Sequence, residues 1–138
     1  MTRVPEMVKT GLNVAFGHDC VMDPWYSLGR ADMLDVAFMG LHVGQLSSRD
    51  DMAWCFKAVT QNSADIMQLE GYGIEIGCKA NFNLLQARDP IEAIRLRANR
   101  ILVVRNAKVI ASNPHILTEL FIHDRPGFLD AALYSPSY

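Results

Sequence analysis

The fold is decided by the stretch Leu12-Asn13-Val14-Ala15-Phe16-Gly17-His18-Asp19, in which a short apolar run ends in a histidine and a carboxylate. Short apolar runs containing β-forming residues are typical of buried strands in parallel sheets. We therefore predict a buried strand over residues 12–17. In parallel α/β barrels, side chains at the carboxyl ends of the strands converge on the active-site face. Asp19 thus stands where a catalytic carboxylate is expected.

Helical patterns lie before and after this strand in the sequence, and patterns typical of further strands come later in the chain. Residues Pro5 to Lys9 are predicted to be the end of a helix that Gly11 terminates, and Ser47-Ser48 offers an N-cap for a later helix. The remaining predicted helices cover 33–46, which should be largely buried, 49–58, 62–69 and 90–97, and the predicted strands cover 81–86, 101–105, 108–111 and 116–122. This order predicts an α/β fold, with one slice of a parallel (β/α)8 TIM barrel over residues 1–70 and a β-rich appendage over 71–138.

The length of the chain conflicts with a complete barrel. A whole (β/α)8 barrel needs roughly 250 residues, whereas this chain has 138. A single parallel strand has no neighbour with which to form a ladder. We therefore expect that the barrel slice needs further strands, or a partner that supplies them.

Composition and charge narrow the class of protein. The net charge is −2 with both signs interspersed, which does not favour a nucleic-acid partner. No apolar run approaches the roughly 20 residues that span a bilayer, and the first ten residues lack the apolar segment of a signal peptide. Three widely spaced cysteines, Cys20, Cys55 and Cys78, fit free thiols in a reducing compartment. These features predict a soluble cytoplasmic protein without a membrane partner.

Two neighbouring side chains could carry chemistry. A carboxylate at position 19 can ligate a metal and act as a general base on water, but an aspartate after a strand can also be a turn former or a helix N-cap. The residues alone leave both interpretations of Asp19 open. Because adjacent strand residues point to opposite faces, His18 and Asp19 should not both face the barrel centre, and we expect a structural role for His18.

The run Gly17-His18-Asp19-Cys20-Val21-Met22-Asp23-Pro24-Trp25-Tyr26 resembles the last-strand segment of the cytosine deaminases in the amidohydrolase superfamily. The similarity continues through Gly73–Asn81, which resembles the return into the superfamily's appended β domain. It continues again through Val103–Ile110, which resembles the closing hairpin of that domain. Ala107 stands in this hairpin where glycine is usual, so a tight turn with positive φ should be less favourable.

The resemblance implies roles for three residues. Asp19 corresponds to the carboxylate that ends the eighth barrel strand, contacts the catalytic metal and carries the proton from the attacking water to the departing ammonia. Trp25 corresponds to the tryptophan that lines the pyrimidine pocket. Cys20 stands where a second aspartate is common, so we expect it to contact the substrate and shape the pocket. As a nucleophile Cys20 is disfavoured, because no base is placed for it.

The resemblance also implies a cofactor that this chain cannot hold alone. One divalent metal, iron or zinc, is expected in the full-length parent, but the His-x-His pair that such a site needs is not in this sequence. The chain can supply one metal ligand, Asp19, of about four. We expect the chain to be the C-terminal part of the parent, containing the end of the barrel and part of its β-sandwich, and to be inactive alone without tightly bound metal.

The function implied for the parent is hydrolytic deamination of cytosine, or of a similar amino-heterocycle, to the oxo product and ammonia, as in pyrimidine salvage. The expected partners are a small-molecule pyrimidine or similar heterocycle and further copies of the same protein in a homo-oligomer. One alternative is another amidohydrolase, acting on isoguanine, creatinine or a triazine. The other is a non-catalytic remnant that acts only as an association module.

Overall fold

The structure is a computed structural model that describes residues 2–124 and 127–129, and it contains two compact units, Met1–Lys79 and Ala80–Tyr138. The first unit contains the helices α1 (Val4–Lys9), α2 (Met33–Val43), α3 (Arg49–Ala58) and α4 (Gln61–Ile66). The second contains β1 (Phe82–Leu85), α5 (Pro90–Leu96), β2 (Arg100–Arg105), β3 (Lys108–Ser112), β4 (Thr118–Glu119) and β5 (Phe128–Leu129). Among these elements, no helix is both long and apolar enough to cross a membrane.

Side-chain caps set where the two longest helices begin. The Asp32 carboxylate accepts the Leu34 N–H at 2.9 Å and starts α2. At the start of α3, the Ser48 hydroxyl accepts the Asp51 N–H at 3.1 Å, while the Asp51 carboxylate accepts the Ser48 N–H at 3.2 Å. This reciprocal pair is a capping box, which satisfies two N–H groups that a helix start leaves without partners. The N-cap predicted within Ser47-Ser48 is confirmed, and the residue that forms it is Ser48.

The prediction of a strand over residues 12–17 is wrong. These residues are all described, and none of them lies in a strand. Their backbone bonds to helix ends instead. The Phe16 N–H donates to the Ala58 carbonyl at 3.0 Å, and the Asn62 side chain donates to the Val14 carbonyl at 2.9 Å. A strand is defined by pairing with a neighbouring strand, and the first unit provides no such neighbour in its described residues.

The prediction that the helix beginning at residue 33, now α2, is largely buried is also wrong. Leu34 and Ala37 are buried, but Met39 is 53% exposed and Val43 is 47% exposed. The apolar residues of α2 extend around more of its circumference than the first unit covers. A nearly all-apolar helix is normally buried on most sides, so α2 retains apolar surface that a larger protein would cover.

Residues 12–17 form an irregular segment, and Phe16 connects this irregular segment to the helices. Its ring packs edge-on against Trp54 of α3, with the ring centroids 5.5 Å apart and an interplanar angle of 84°. The ring also lies so close to Gly40 that a Cβ added there would come within 2.4 Å of a ring carbon. Glycine at position 40 is therefore required by the close approach of the Phe16 ring to α2.

Substituting Gly40→Ala should destabilise the first unit, although alanine is the better helix former by about 1 kcal/mol. The added methyl would displace a ring that also packs against Trp54. Overpacking of this kind typically costs about 1–3 kcal/mol. We expect a lower midpoint of urea denaturation, with the m-value unchanged. Gly17→Ala is the control, because a Cβ there meets nothing within 4 Å. Equal or greater stability of Gly40→Ala would show that the Phe16 contact is not tight.

The second unit is built on an antiparallel sheet with strand order β1-β2-β3, and α5 connects the first two strands. Asn106 and Ala107 form the tight turn between β2 and β3, with φ values of +49° and +60°. The turn thus adopts the geometry for which Ala107 is poorly suited, and the Asn81 side chain supports it by accepting the Asn106 N–H at 2.7 Å. The strand predicted over 116–122 is shorter than expected, because within the described residues its paired part is Thr118–Glu119, which pairs with Phe128–Leu129.

Candidate functional site

The loop between the irregular segment and α2 carries all three predicted site residues. Asp19 lies at its start, is exposed, and has a left-handed backbone conformation with φ of +62°. Met22 in the same loop also has positive φ, at +52°. Non-glycine residues in this region are uncommon, although aspartate is among the few that tolerate it. Gln45 and Gln68, which lie outside this loop, share the conformation, so it leaves both interpretations of Asp19 open.

His18 closes the base of this loop. Its ring Nδ1 lies 2.8 Å from the Cys20 carbonyl, and its Cε1 lies so close to Gly29 that an added Cβ would approach within 2.9 Å. The same Cβ would meet the Cys20 carbonyl oxygen at 2.9 Å. The imidazole therefore packs where only glycine leaves room for it. These contacts agree with the structural role predicted for His18.

Cys20 lies between two carboxylates. The nearby Asp23 carboxylate raises the pKa of the thiol above its usual value, and desolvation and the negative charge of Asp19 act in the same direction. The nucleophilic form of cysteine is the thiolate, which a raised pKa makes scarcer at neutral pH. The structure thus supports the interpretation of Cys20 as a neutral, half-buried side chain beside Asp19, and not as a nucleophile.

Asp23 is a residue of this loop that we did not single out from the sequence. Its Oδ1 atom accepts the backbone N–H groups of Trp25 and Tyr26, both at 2.9 Å. The Tyr26 N–H contributes most to holding the pKa of the carboxyl below its usual value, and the nearby Cys20 thiol and the Trp25 N–H lower it further. The sequence signal was present, since aspartate before proline favours a turn in which the aspartate side chain caps following N–H groups.

Trp25 projects from this turn into solvent, with 90% of its surface exposed. An indole exposed to this extent contributes little to packing within the first unit. Tryptophan carries a large apolar surface and is normally mostly buried. The structure therefore brings Asp19, Cys20 and Asp23 together and leaves the Trp25 ring available for a ligand or for another part of a larger protein.

A cleft of about 520 Å³ lies beside this loop in the first unit. Its walls are mostly apolar and come from α1, the irregular segment and α2; the lining includes Val4, Val14, Phe16, Val36, Met39 and Val43. Thr2, His18, Tyr26 and Asp35 are the polar residues that border it, whereas Asp19, Cys20 and Trp25 do not line it. The predicted site residues thus lie outside this cleft.

The described residues do not form a metal centre by themselves. Within 2–124 and 127–129, no three or more histidine, cysteine, aspartate or glutamate side chains are grouped so that they could hold a metal ion. Catalytic zinc sites use about three protein ligands and leave one position for water. Asp19, exposed on its loop, can offer one ligand. The remaining ligands of a catalytic metal would have to come from outside this part of the chain.

A family model and solved structures of known enzymes match most of this chain. The family model described as "Amidohydrolase family" matches residues 1–113. The solved structure of 5-methylcytosine deaminase from Klebsiella pneumoniae liganded with 5-fluorocytosine is 37% identical and has a TM-score of 0.79, over 83% of this chain. N-isopropylammelide isopropylaminohydrolase from Burkholderia multivorans ATCC 17616 is 30% identical and has a TM-score of 0.76, over 80% of this chain. These structures share the local fold of the segment.

A further relative, found by its sequence, also matches most of this chain. N-isopropylammelide isopropyl amidohydrolase from Pseudomonas sp. (strain ADP) is 29% identical over 115 residues, which are 83% of this chain. The chain spans 28% of the length of that relative, and 28% of each of the two solved structures. The resemblance to this superfamily inferred from the Gly17–Tyr26 run is confirmed. The family model covers more than half of the chain, and the chain therefore belongs to the amidohydrolase family.

Proposed function

We propose that this chain is the C-terminal part of a metal-dependent deaminase that hydrolyses cytosine, or a closely similar amino-pyrimidine, to the oxo product and ammonia. The observation that carries the proposal is the loop 19–25, where a carboxylate on strained backbone is followed by an exposed indole. This loop lies in a segment 37% identical to a deaminase solved with a pyrimidine ligand. In the proposed parent, residues 1–70 are the last slice of a (β/α)8 barrel and 71–138 are part of a β-sandwich.

The role proposed for Asp19 is proton transfer. In hydrolytic deamination, water adds to the amino-bearing ring carbon and the amino group leaves as ammonia, so one proton must move from the water to the nitrogen. An exposed carboxylate on a loop can accept that proton and return it to the leaving group. The divalent metal of the proposed parent would activate the water as a Lewis acid. Its ligands other than Asp19 would lie outside this chain.

The roles proposed for Trp25 and Cys20 are substrate contacts. A flat indole offers stacking area to an aromatic ring. The neutral thiol of Cys20 lies beside Asp19, where a small side chain leaves space at the pocket wall. We propose that Trp25 stacks on the heterocycle and that Cys20 determines which ring substituents fit.

A second candidate within the same family is release of isopropylamine from an N-isopropylammelide-like substrate. The identities of 29% and 30% to the two enzymes of that name are only slightly lower than the identity to the deaminase. Both reactions displace an amine from a ring carbon with water, so the proton transfer proposed for Asp19 serves either one. The two candidates differ in the substituent that the pocket must accommodate.

Paired chimaeras test which candidate is correct. The matching segment of the Klebsiella deaminase, and separately that of the Burkholderia isopropylaminohydrolase, is replaced by this chain. The proposal predicts that the first chimaera keeps a larger fraction of its parent's kcat/KM for cytosine or 5-methylcytosine than the second keeps for N-isopropylammelide. The opposite order would favour the second candidate. Loss of both activities in folded chimaeras would favour a non-catalytic association module.

Trp25→Ala in the deaminase chimaera should raise KM for cytosine with a smaller change in kcat. Stacking on the ring stabilises the bound substrate and the transition state alike, and a loss of this uniform kind appears in KM. Aromatic contacts contribute about 0.5–1.5 kcal/mol beyond area burial, so we expect KM to rise about three- to tenfold. Trp54→Phe is the control, because Trp54 packs on Phe16 and phenylalanine keeps an aromatic ring there. An unchanged KM in Trp25→Ala would place Trp25 outside the pocket.

A further inference from the structure

The turn that carries Trp25 is held by one side chain, that of Asp23. Its Oδ1 atom accepts the N–H groups of Trp25 and Tyr26, both at 2.9 Å. The Asp23 N–H donates in turn to the Tyr26 carbonyl at 3.4 Å. The segment 23–26 is thus closed on itself through a single carboxylate.

This connection matters because packing cannot hold Trp25 in place. With 90% of its surface exposed, the indole is positioned by the backbone that carries it. Hydrogen bonds to an ionised acceptor are shorter and roughly twice as strong as neutral ones. The two N–H groups bonded to Asp23 include that of Trp25 itself, so the carboxylate acts at the point from which the indole projects.

We infer that Asp23 is a positioning residue, whose carboxylate fixes the backbone from which Trp25 projects toward the substrate. This inference rests on the proposed function, in which Trp25 and Cys20 line the pyrimidine pocket. Asp23 acts through Trp25 and not on the reacting atoms. Its loss should therefore weaken binding in the ground state and the transition state together.

The first part of the test uses the 138-residue chain itself. Amide exchange with water is measured by NMR in the unchanged protein, in Asp23→Ala and in Asp23→Asn. Asp23→Ala should accelerate exchange of the Trp25 and Tyr26 amides about tenfold, as expected for loss of a bond to a charged acceptor. Asp23→Asn should largely restore the slow exchange, because the amide oxygen can accept the same two N–H groups. Leu34, whose N–H is bonded to Asp32 at 2.9 Å, is the internal control and should not change.

The second part measures kinetics in the deaminase chimaera. Asp23→Ala should raise KM for cytosine about as much as Trp25→Ala does, with kcat changing less, and Asp23→Asn should return KM toward the starting value. The double variant Asp23→Ala/Trp25→Ala should be no worse than Trp25→Ala alone, because an unanchored alanine has nothing left to position. Asp50→Ala, which removes an exposed carboxylate from the start of α3, should leave KM unchanged.

The outcomes separate the inference from the function on which it rests. Unchanged exchange of the Trp25 and Tyr26 amides in Asp23→Ala would overturn the inference. So would a KM that rises in Trp25→Ala but not in Asp23→Ala. If the amides respond as expected while Trp25→Ala itself leaves KM unchanged, the proposed pocket is wrong and the anchoring of the loop by Asp23 stands.

Discussion

Asp19→Asn in the deaminase chimaera should leave the fold intact and lower kcat by at least about a hundredfold. The amide has almost the same size as the carboxylate, but it cannot accept the proton of the attacking water. General acid–base groups contribute roughly 10²–10⁴-fold to the rate. Asparagine is also enriched at positive φ, so the backbone at +62° can be retained. The measurement is kcat by ammonia release, with circular dichroism and denaturation midpoints as checks of the fold.

The control for Asp19→Asn is Asp50→Asn, which removes one exposed carboxylate of the same unit outside the loop. Its kcat should match that of the unchanged chimaera. A value above a tenth of the starting kcat in Asp19→Asn would show that Asp19 is a structural turn former. In that case the left-handed conformation alone would explain why aspartate stands there, since it is among the residues that tolerate it.

The second large effect concerns the 138-residue chain on its own, which should neither deaminate cytosine nor bind a metal ion tightly. The described residues provide no group of three potential ligands, and one carboxylate cannot hold a catalytic metal. After loading with zinc or ferrous iron and gel filtration, we expect far less than one metal ion per chain by elemental analysis. Ammonia release should fall well below the roughly 1 per second that marks ordinary enzyme turnover.

The positive control for this prediction is the deaminase chimaera, in which the same segment is joined to the remaining barrel and should retain about one metal ion. Stoichiometric, tight metal in the isolated chain would contradict the assignment of the other ligands to the missing part of the barrel. Turnover by the isolated chain at an enzymatic rate would overturn the proposal that this segment supplies only part of the active site.

The local features of this protein could be predicted because their causes lie within a few residues. The Ser48–Asp51 capping box and the Asn106–Ala107 turn each depend on neighbours in the chain. Helix starts are set by caps of this kind, so α3 was predicted with its correct bounds. The Gly17–Tyr26 run was specific enough to indicate the family, which the comparisons confirm.

The features that could not be predicted depend on groups distant in sequence. The run over residues 12–17 has a strand-like composition, but a strand forms only when another strand pairs with it. Without that pairing, Phe16 bonds to the Ala58 carbonyl at the end of α3. The exposure of Met39 on α2 has the same origin, because a helix is buried only where other elements cover it.

The sequence by itself determined the start of α3 through its N-cap, the β2–β3 hairpin, the family, and the choice of Asp19, Cys20 and Trp25 as candidate site residues. Only the tertiary structure showed that Asp19 lies on left-handed backbone and that Asp23 holds the turn from which Trp25 projects. Residue type and spacing show which groups can form hydrogen bonds. Which bonds form depends on how the loop closes, with His18 against Gly29 at its base.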